Sequence, residues 1–288
     1  MVEFEVPEID YDQYSNRQLA VVPLVVLLIA LAVLAGSWMM TGSPVALGIE
    51  FTGGSQLTVE SSMSAAEIGS TFSPEPVSIQ GVGGEANQYV LTFEPGSGSV
   101  TSLVDQAEGA GMTVLGSGET PATFGQESQR IAVIGLVIAF VGMSLLAFAL
   151  FRTFVPSIAI VISAFSDIMI PLAVLSLLRV KLSLGTVAAL LMLIGYSVDS
   201  DILLNNHILR RRGEFYESTY AAMRTGVSMT LTSIAAMAVM AIMASFFNIT
   251  LMAQIGFVLV LGLSVDLVNT YMLNLSLLRW YKSEEVSG

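Results

Sequence analysis

The sequence predicts a helical membrane protein of six spans with one small α/β domain on its outer side. Three observations carry this. Of 288 residues, 54% are hydrophobic and only 12% are charged, where soluble domains carry about 25% charged residues. The mean hydropathy is +0.76. Six apolar runs are long enough, at 18 or more residues, to read as membrane-spanning helices, and one polar stretch of about 90 residues separates the first from the rest.

The runs are Leu19–Met40, Ile131–Phe151, Phe154–Leu178, Leu182–Leu209, Gly226–Phe246 and Leu251–Leu278. Residues 1–18 form an acidic lead with only Arg17 as a basic residue. A secretory signal peptide needs a positive start and a shorter core, so 19–40 reads as an uncleaved first span. Residues 41–129 then make a separate domain, 130–278 a five-helix block, and 279–288 a short tail.

Basic residues set the orientation. With the N-terminus inside, Arg17, Arg152, Arg210, Arg211, Arg212, Arg224, Arg279 and Lys282 are cytoplasmic, and only Arg130, Arg179 and Lys181 lie outside. Eight against three obeys the positive-inside bias. Both termini are therefore expected in the cytoplasm of a multi-pass cell-membrane protein. Arg210–Arg212 read as a topology anchor.

The outer domain has no Lys or Arg but ten acidic residues, and the whole chain carries a net charge of −12. Such a surface stays hydrated at high salt, where the Debye length falls to about 3 Å at 1 M. A halophilic source is the expectation, in preference to an acidic dock for a basic partner. The chain has no cysteine, which excludes disulfides, thiolate metal sites and thiol catalysis.

Within the domain, Leu47–Glu60 alternates into a strand after the Gly53-Gly54 bend. Ser64 and Glu67 form a capping box for a helix to about Thr71. Val77–Gln80 and Tyr89–Phe93 read as strands joined by a turn over Gly81–Gly84. Ser99 caps a helix over Val100–Ala110, stopped by Gly111, and Thr113–Leu115 is a last strand. The order β-α-β-β-α-β is the ferredoxin-like arrangement. No Lys-Ser/Thr follows the glycines and no Rossmann spacing is present, so no nucleotide site is expected.

The candidate functional residues are acids inside the spans. A carboxylate at the bilayer centre costs about 3 kcal/mol on insertion scales, and intramembrane acids mark ion pathways by default. Asp167 and Asp266 fall midway along their spans, and Asp199 about two-thirds across. No Lys or Arg lies at their depth, so each must be protonated, bind a cation or pair with another subunit. Asp199 and Asp201 are about 200° apart on a helix and cannot face one site. Asp201 reads as structural, capping the Asn205, Asn206 and His207 cluster. Asp266 has Asn269 and Thr270 one turn away.

Pro156 and Pro171 flank Asp167 and would loosen its helix. His207 reads as an interfacial polar residue, the methionines as packing filler, and Asn248-Ile249-Thr250 as a sequon at the membrane edge. With one rim histidine and no Walker motif, hydrolytic chemistry has no constellation; no enzyme activity, cofactor, metal or nucleic-acid role is expected.

Gly48-Ile49-Glu50-Phe51-Thr52-Gly53-Gly54 after the first span resembles the GIDFTGG signature of the SecF family. Gly195-Tyr196-Ser197-Val198-Asp199-Ser200 is similar to that family's GYSxND stretch, and Ser166-Asp167 to its His-Asp in the third span. The likeness runs from about Leu19 to Leu278. It implies an accessory subunit of the Sec protein translocase within the resistance-nodulation-division group. The partners it implies are a SecD-like subunit, the Sec translocon channel, a translocating preprotein and the lipid bilayer.

The resemblance also implies ion-gradient coupling, for which the position of Asp167 transfers best, with Asp199 and Ser200 as further candidates; Asp266 has no counterpart in the family pattern and is a candidate from its depth in the span. The family's Asn-Asp is Asp199-Ser200 here, which moves the carboxylate by one residue. The rival function is a stand-alone ion-coupled exporter of small lipophilic molecules, for which the external domain is small.

Overall fold

The computed structural model describes residues 11–82, 87–210, 215–247 and 249–287. Six helices among them are long and apolar enough to cross a membrane. The first, α1 (Asn16–Thr41), opens on a capping box between Ser15 and Gln18 and stops at Gly42 in the left-handed conformation. A single turn, α2 (Ile49–Thr52), then leads into the outer domain.

That domain runs β1 (Gly54–Glu60), α3 (Ala65–Thr71), β2 (Ser78–Gly81), β3 (Gln88–Phe93), α4 (Val100–Gly109) and β4 (Thr113–Thr120). The antiparallel sheet has the order β2-β3-β1-β4, the ferredoxin-like arrangement expected from the sequence. Alternation on β1 and β3 puts Leu57, Val59, Leu91 and Phe93 on one face, where Ile68 of α3 and Leu103 of α4 cover them. Phe72 meets Phe93 edge-on at 5.2 Å.

Two boundaries of the outer domain differ from expectation. The strand β4 continues to Thr120 instead of ending at Leu115, because Gly116–Thr120 pair with Gly54–Thr58 past a bulge at Thr58/Val59. The residues before the second span, read as part of 41–129, are already helical from Ala122. Of the glycine turn between β2 and β3, Gly83 and Gly84 lie outside the described residues.

Ser64 caps α3 as a full box: its N–H and hydroxyl both donate to the Glu67 carboxylate, each at 2.8 Å. Those bonds hold Glu67 below its ordinary pKa of 4.5. A carboxyl depressed on folding stabilises above its unfolded pKa, and that contribution is lost as pH falls through the folded value. Below about pH 4.3, α3 is therefore expected to open more easily. Glu67→Gln, which keeps an acceptor but cannot titrate, is expected to flatten that decline. Amide exchange at Ile68, compared between the two chains at each pH, checks it; equal acid sensitivity would count against the box.

The membrane block is α5 (Ala122–Phe151), α6 (Phe154–Leu177), α7 (Leu184–Arg210), α8 (Phe215–Phe246) and a sixth span over Thr250–Lys282. The last is α9 (Thr250–Val268), a π-helical segment over Asn269–Asn274, and α10 (Leu275–Ser287). Helix α6 is the buried hub, whereas α5 and α8 turn residues such as Ile138 and Ile242 outward. The fifth span starts at Phe215, earlier than Gly226, because Thr219, Ala222 and Met223 are buried against the bundle.

The chain ends meet on the side opposite the sheet. The Arg279 guanidinium donates to the carbonyls of Tyr11 (3.1 Å) and Tyr14 (2.7 Å), to the Tyr216 hydroxyl and to Asn16. Burial pushes the Tyr11 phenol up to about 12, and its hydroxyl donates to the Met223 sulfur.

On the sheet side, the chain entering the domain is stapled to the α6–α7 hairpin. The Leu182 N–H donates to the Ala46 carbonyl (2.7 Å), and the Gly48 N–H to the Leu182 carbonyl (2.8 Å).

Candidate functional site

Helix α6 buries one face of small and polar residues, Ser163, Ser166 and Asp167 among them. That spacing of three and four residues stacks side chains on one helical surface, and against it lie α7 and the sixth span. Three carboxylates converge there: Asp167 of α6, Asp201 of α7 and Asp266 of α9, none more than 1% exposed.

Each is held by neutral donors. Asp167 accepts from the Ser197 hydroxyl at 2.6 Å and from the Asn269 amide at 2.6 Å. Asp201 accepts at one oxygen from Thr270 (2.9 Å) and Asn274 (2.8 Å). The Ser200 hydroxyl reaches both oxygens of Asp266 at 3.0 Å.

No basic side chain donates to any of the three in these bonds. Uncompensated buried charge of this kind is costly, so the cluster is neutralised by protons or a cation.

The backbone around the cluster is broken in two places. Pro171 has no N–H to donate to the carbonyl four residues back, which is that of Asp167. Pro156, expected to loosen the helix too, sits in the first turn of α6, where its missing donor costs nothing. The π segment over Asn269–Asn274 supplies Asn269, Thr270 and Asn274 to the carboxylates; such segments are frequent at functional sites.

The structure brings Asp167, Asp266 and Ser200 together and leaves Asp199 out. Asp199 is exposed and lines a cavity of about 410 Å³ with Tyr196, Ser200 and Ser233. Asp201, read from the sequence as a cap for Asn205, Asn206 and His207, instead occupies the cluster; His207 Nδ1 pairs with the Leu203 carbonyl at 2.9 Å.

The 200° separation of the two acids was sound, but which of them faces inward depends on α6 and the sixth span. A usable signal existed in the four-residue spacing of Ser197, Asp201 and Asn205, which forms a polar face on α7. Asn274 had no such signal short of Asp266, Asn269 and Thr270 continuing one turn further.

Of the signature residues, Ser197 binds Asp167, while Gly195 and Tyr196 are exposed on α7. Gly48, Ile49, Glu50, Phe51, Thr52, Gly53 and Gly54 lie away from the acids and seat the outer domain. Gly53 closes α2 with φ +75°, and a Cβ on Gly125 of α5 would stand 2.7 Å from the Gly53 nitrogen. Arg210 ends α7; Arg211, Arg212 and Asn248 lie outside the described residues.

Six spans, a ferredoxin-like domain after the first of them, and acids buried where three helices meet define a polytopic membrane protein with a polar cluster inside its helix bundle. Comparison with known proteins gives the particular family. The family described as protein export membrane protein SecD/SecF, C-terminal, matches residues 111–284, and the SecD/SecF GG motif matches residues 38–65. The protein-export membrane protein SecF of Haloferax volcanii is 60% identical over 287 residues, spanning 100% of both chains. That of Haloquadratum walsbyi is 58% identical over 291 residues, again 100% of both. The chain belongs to the SecF family of protein-export membrane proteins.

These two relatives come from halophilic archaea, in line with the acidic surface. The fold is also that of SecDF, a translocon-associated membrane protein from Thermus thermophilus, with a TM-score of 0.74 at 20% identity. The match covers 96% of this chain but only 39% of that one.

Proposed function

We propose that this chain works beside a SecD-like subunit at the Sec translocon channel, converting a transmembrane ion gradient into movement of its outer domain on an emerging preprotein. The observation that carries the reading is the cluster of Asp167, Asp201 and Asp266 across three helices, held by neutral serine, threonine and asparagine donors. A change in its proton or cation occupancy alters the packing of α6 against α7 and the sixth span. Helix α6 leads into the hairpin that is bonded through Leu182 to Ala46 and Gly48, at the entry of the outer domain. The same domain leaves by β4 directly into α5.

Both termini are cytoplasmic in this reading, following the eight-to-three distribution of basic residues, and the chain does no covalent chemistry of its own. Relatives named for protein export favour it over a stand-alone exporter of lipophilic molecules. The match to 39% of the SecDF chain supports a second subunit.

The test is pulse-chase maturation of a Sec-dependent secreted reporter, with and without an ionophore, in cells holding the chain or lacking it. Maturation is expected to slow with the ionophore only where the chain is present. Equal sensitivity in both strains would refute coupling through this subunit.

A further inference from the structure

We propose that a slot between α1, α8 and the sixth span holds the hydrocarbon chain of one membrane lipid, drawn from the leaflet on the side of the chain ends. The slot is a cavity of about 630 Å³, within the range of about 300–1,000 Å³ usual for ligand sites. Leu19 and Val22 of α1 form one wall and Met223 and Val227 of α8 the other, with Leu267 and Tyr271 of the sixth span as the floor. The gap exists because α1 packs on the π segment and α8 on α9, which leaves them on either side of the sixth span. Arg279 fixes the turn before α1 across the end of the slot by its bonds to the Tyr11 and Tyr14 carbonyls.

The surroundings select the occupant. An empty apolar cavity forfeits the dispersion contacts of its lining, and water enters only where several polar groups meet it. The walls offer none: the Tyr11 hydroxyl is bonded to the Met223 sulfur, and the Tyr271 hydroxyl is pressed on Gly226, where a Cβ has no room. At bilayer depth the remaining filler is lipid hydrocarbon, which is as apolar as leucine. Polarity returns at one end. There Tyr14 is 46% exposed, and Gln18 accepts the Ser15 N–H and hydroxyl at its carbonyl oxygen, which leaves its amide nitrogen as a donor. Arg17, exposed, precedes Gln18 at the same end. Donors at the membrane surface above a hydrocarbon slot fit a lipid with its head at Tyr14, Arg17 and Gln18 and its tail directed inward. The tail rests on the back of the π segment. Leu267, Val268, Tyr271 and Met272 line the slot, while Asn269, Thr270 and Asn274 face the carboxylates.

Native mass spectrometry of the delipidated full chain in detergent, titrated with a diacyl phosphatidylglycerol, tests the slot. One lipid per chain is expected to stay bound at activation energies that strip the rest. Val22→Trp and Val227→Trp fill the slot from opposite walls, and both positions are partly exposed, so the bulk is tolerated. Each should weaken retention roughly tenfold. Val239→Trp, on the same helix as Val227 but 60% exposed, should not.

No retained lipid, or equal retention in all three variants, would overturn the site. The same titration on the chain co-purified with its second subunit separates a lipid from a protein helix as the occupant. Retention unchanged in the complex upholds the lipid. Retention by the chain alone but not by the complex would mean that the second subunit fills the slot, and the lipid assignment falls.

Discussion

An Asp167→Asn chain is expected to insert and fold, yet to mature a Sec-dependent reporter at least about tenfold more slowly, a loss of about 1.4 kcal/mol in the coupled step. The substitution keeps the shape of the side chain and removes only its charge and its capacity to cycle a proton or face a cation. Local satisfaction survives it. The Ser197 hydroxyl can rotate to accept from the new amide, and the remaining carbonyl oxygen still accepts from Asn269, now donors at 2.6 Å each.

Structural damage should therefore be small, while position 167 can no longer carry a charge or a titrating proton. Membrane abundance and co-purification of the second subunit should stay near wild type. Secretion at the wild-type rate would sink the coupling role. A fall in abundance that matched the fall in secretion would reduce the residue to a structural one.

Much of the outer domain was legible because its signals are local. Ser64 and Glu67 cap a helix by direct hydrogen bonds three residues apart, and Leu57, Val59, Leu91 and Phe93 alternate in a period that only a strand can satisfy. The start of α5 was not legible, since residues 122–130 are polar and their helicity rests on packing against α2. The spans themselves announce their length but not their facing. In a run that is apolar all round, periodicity cannot say whether Asp199 or Asp201 turns inward.

That choice is made by the sixth span. There a π segment turns Asn269, Thr270 and Asn274 toward the other helices. Nothing in the composition of Asn269–Asn274 marks such a segment. Asp167 needed no such help, because its helix carries Ser163 and Ser166 at the same spacing and is buried against several neighbours.

Gly54→Ala is expected to unfold the outer domain while leaving the spans in the membrane. Gly54 starts β1 at φ +126°, a region that side chains rarely adopt, and an added Cβ would stand 2.3 Å from the carbonyl oxygen of Phe93. That oxygen is backbone on the neighbouring strand, where Ser55 pairs with Phe93, so it cannot swing aside without breaking the central ladder. Backbone strain of about 1–3 kcal/mol and overpacking of about 1–3 kcal/mol fall on a domain of some 70 residues, whose total stability is of the order of 5 kcal/mol.

The neighbouring Gly118→Ala makes the control. It lies on β4 with nothing within 4 Å of the added Cβ and without a positive φ. Limited proteolysis of intact membranes from the sheet side should cut the Gly54→Ala domain readily and spare the Gly118→Ala one, with the six spans protected in both. Equal resistance in the two variants would mean that β1 can shift its start by a residue. The glycine pair would then matter for something other than the approach of two backbones.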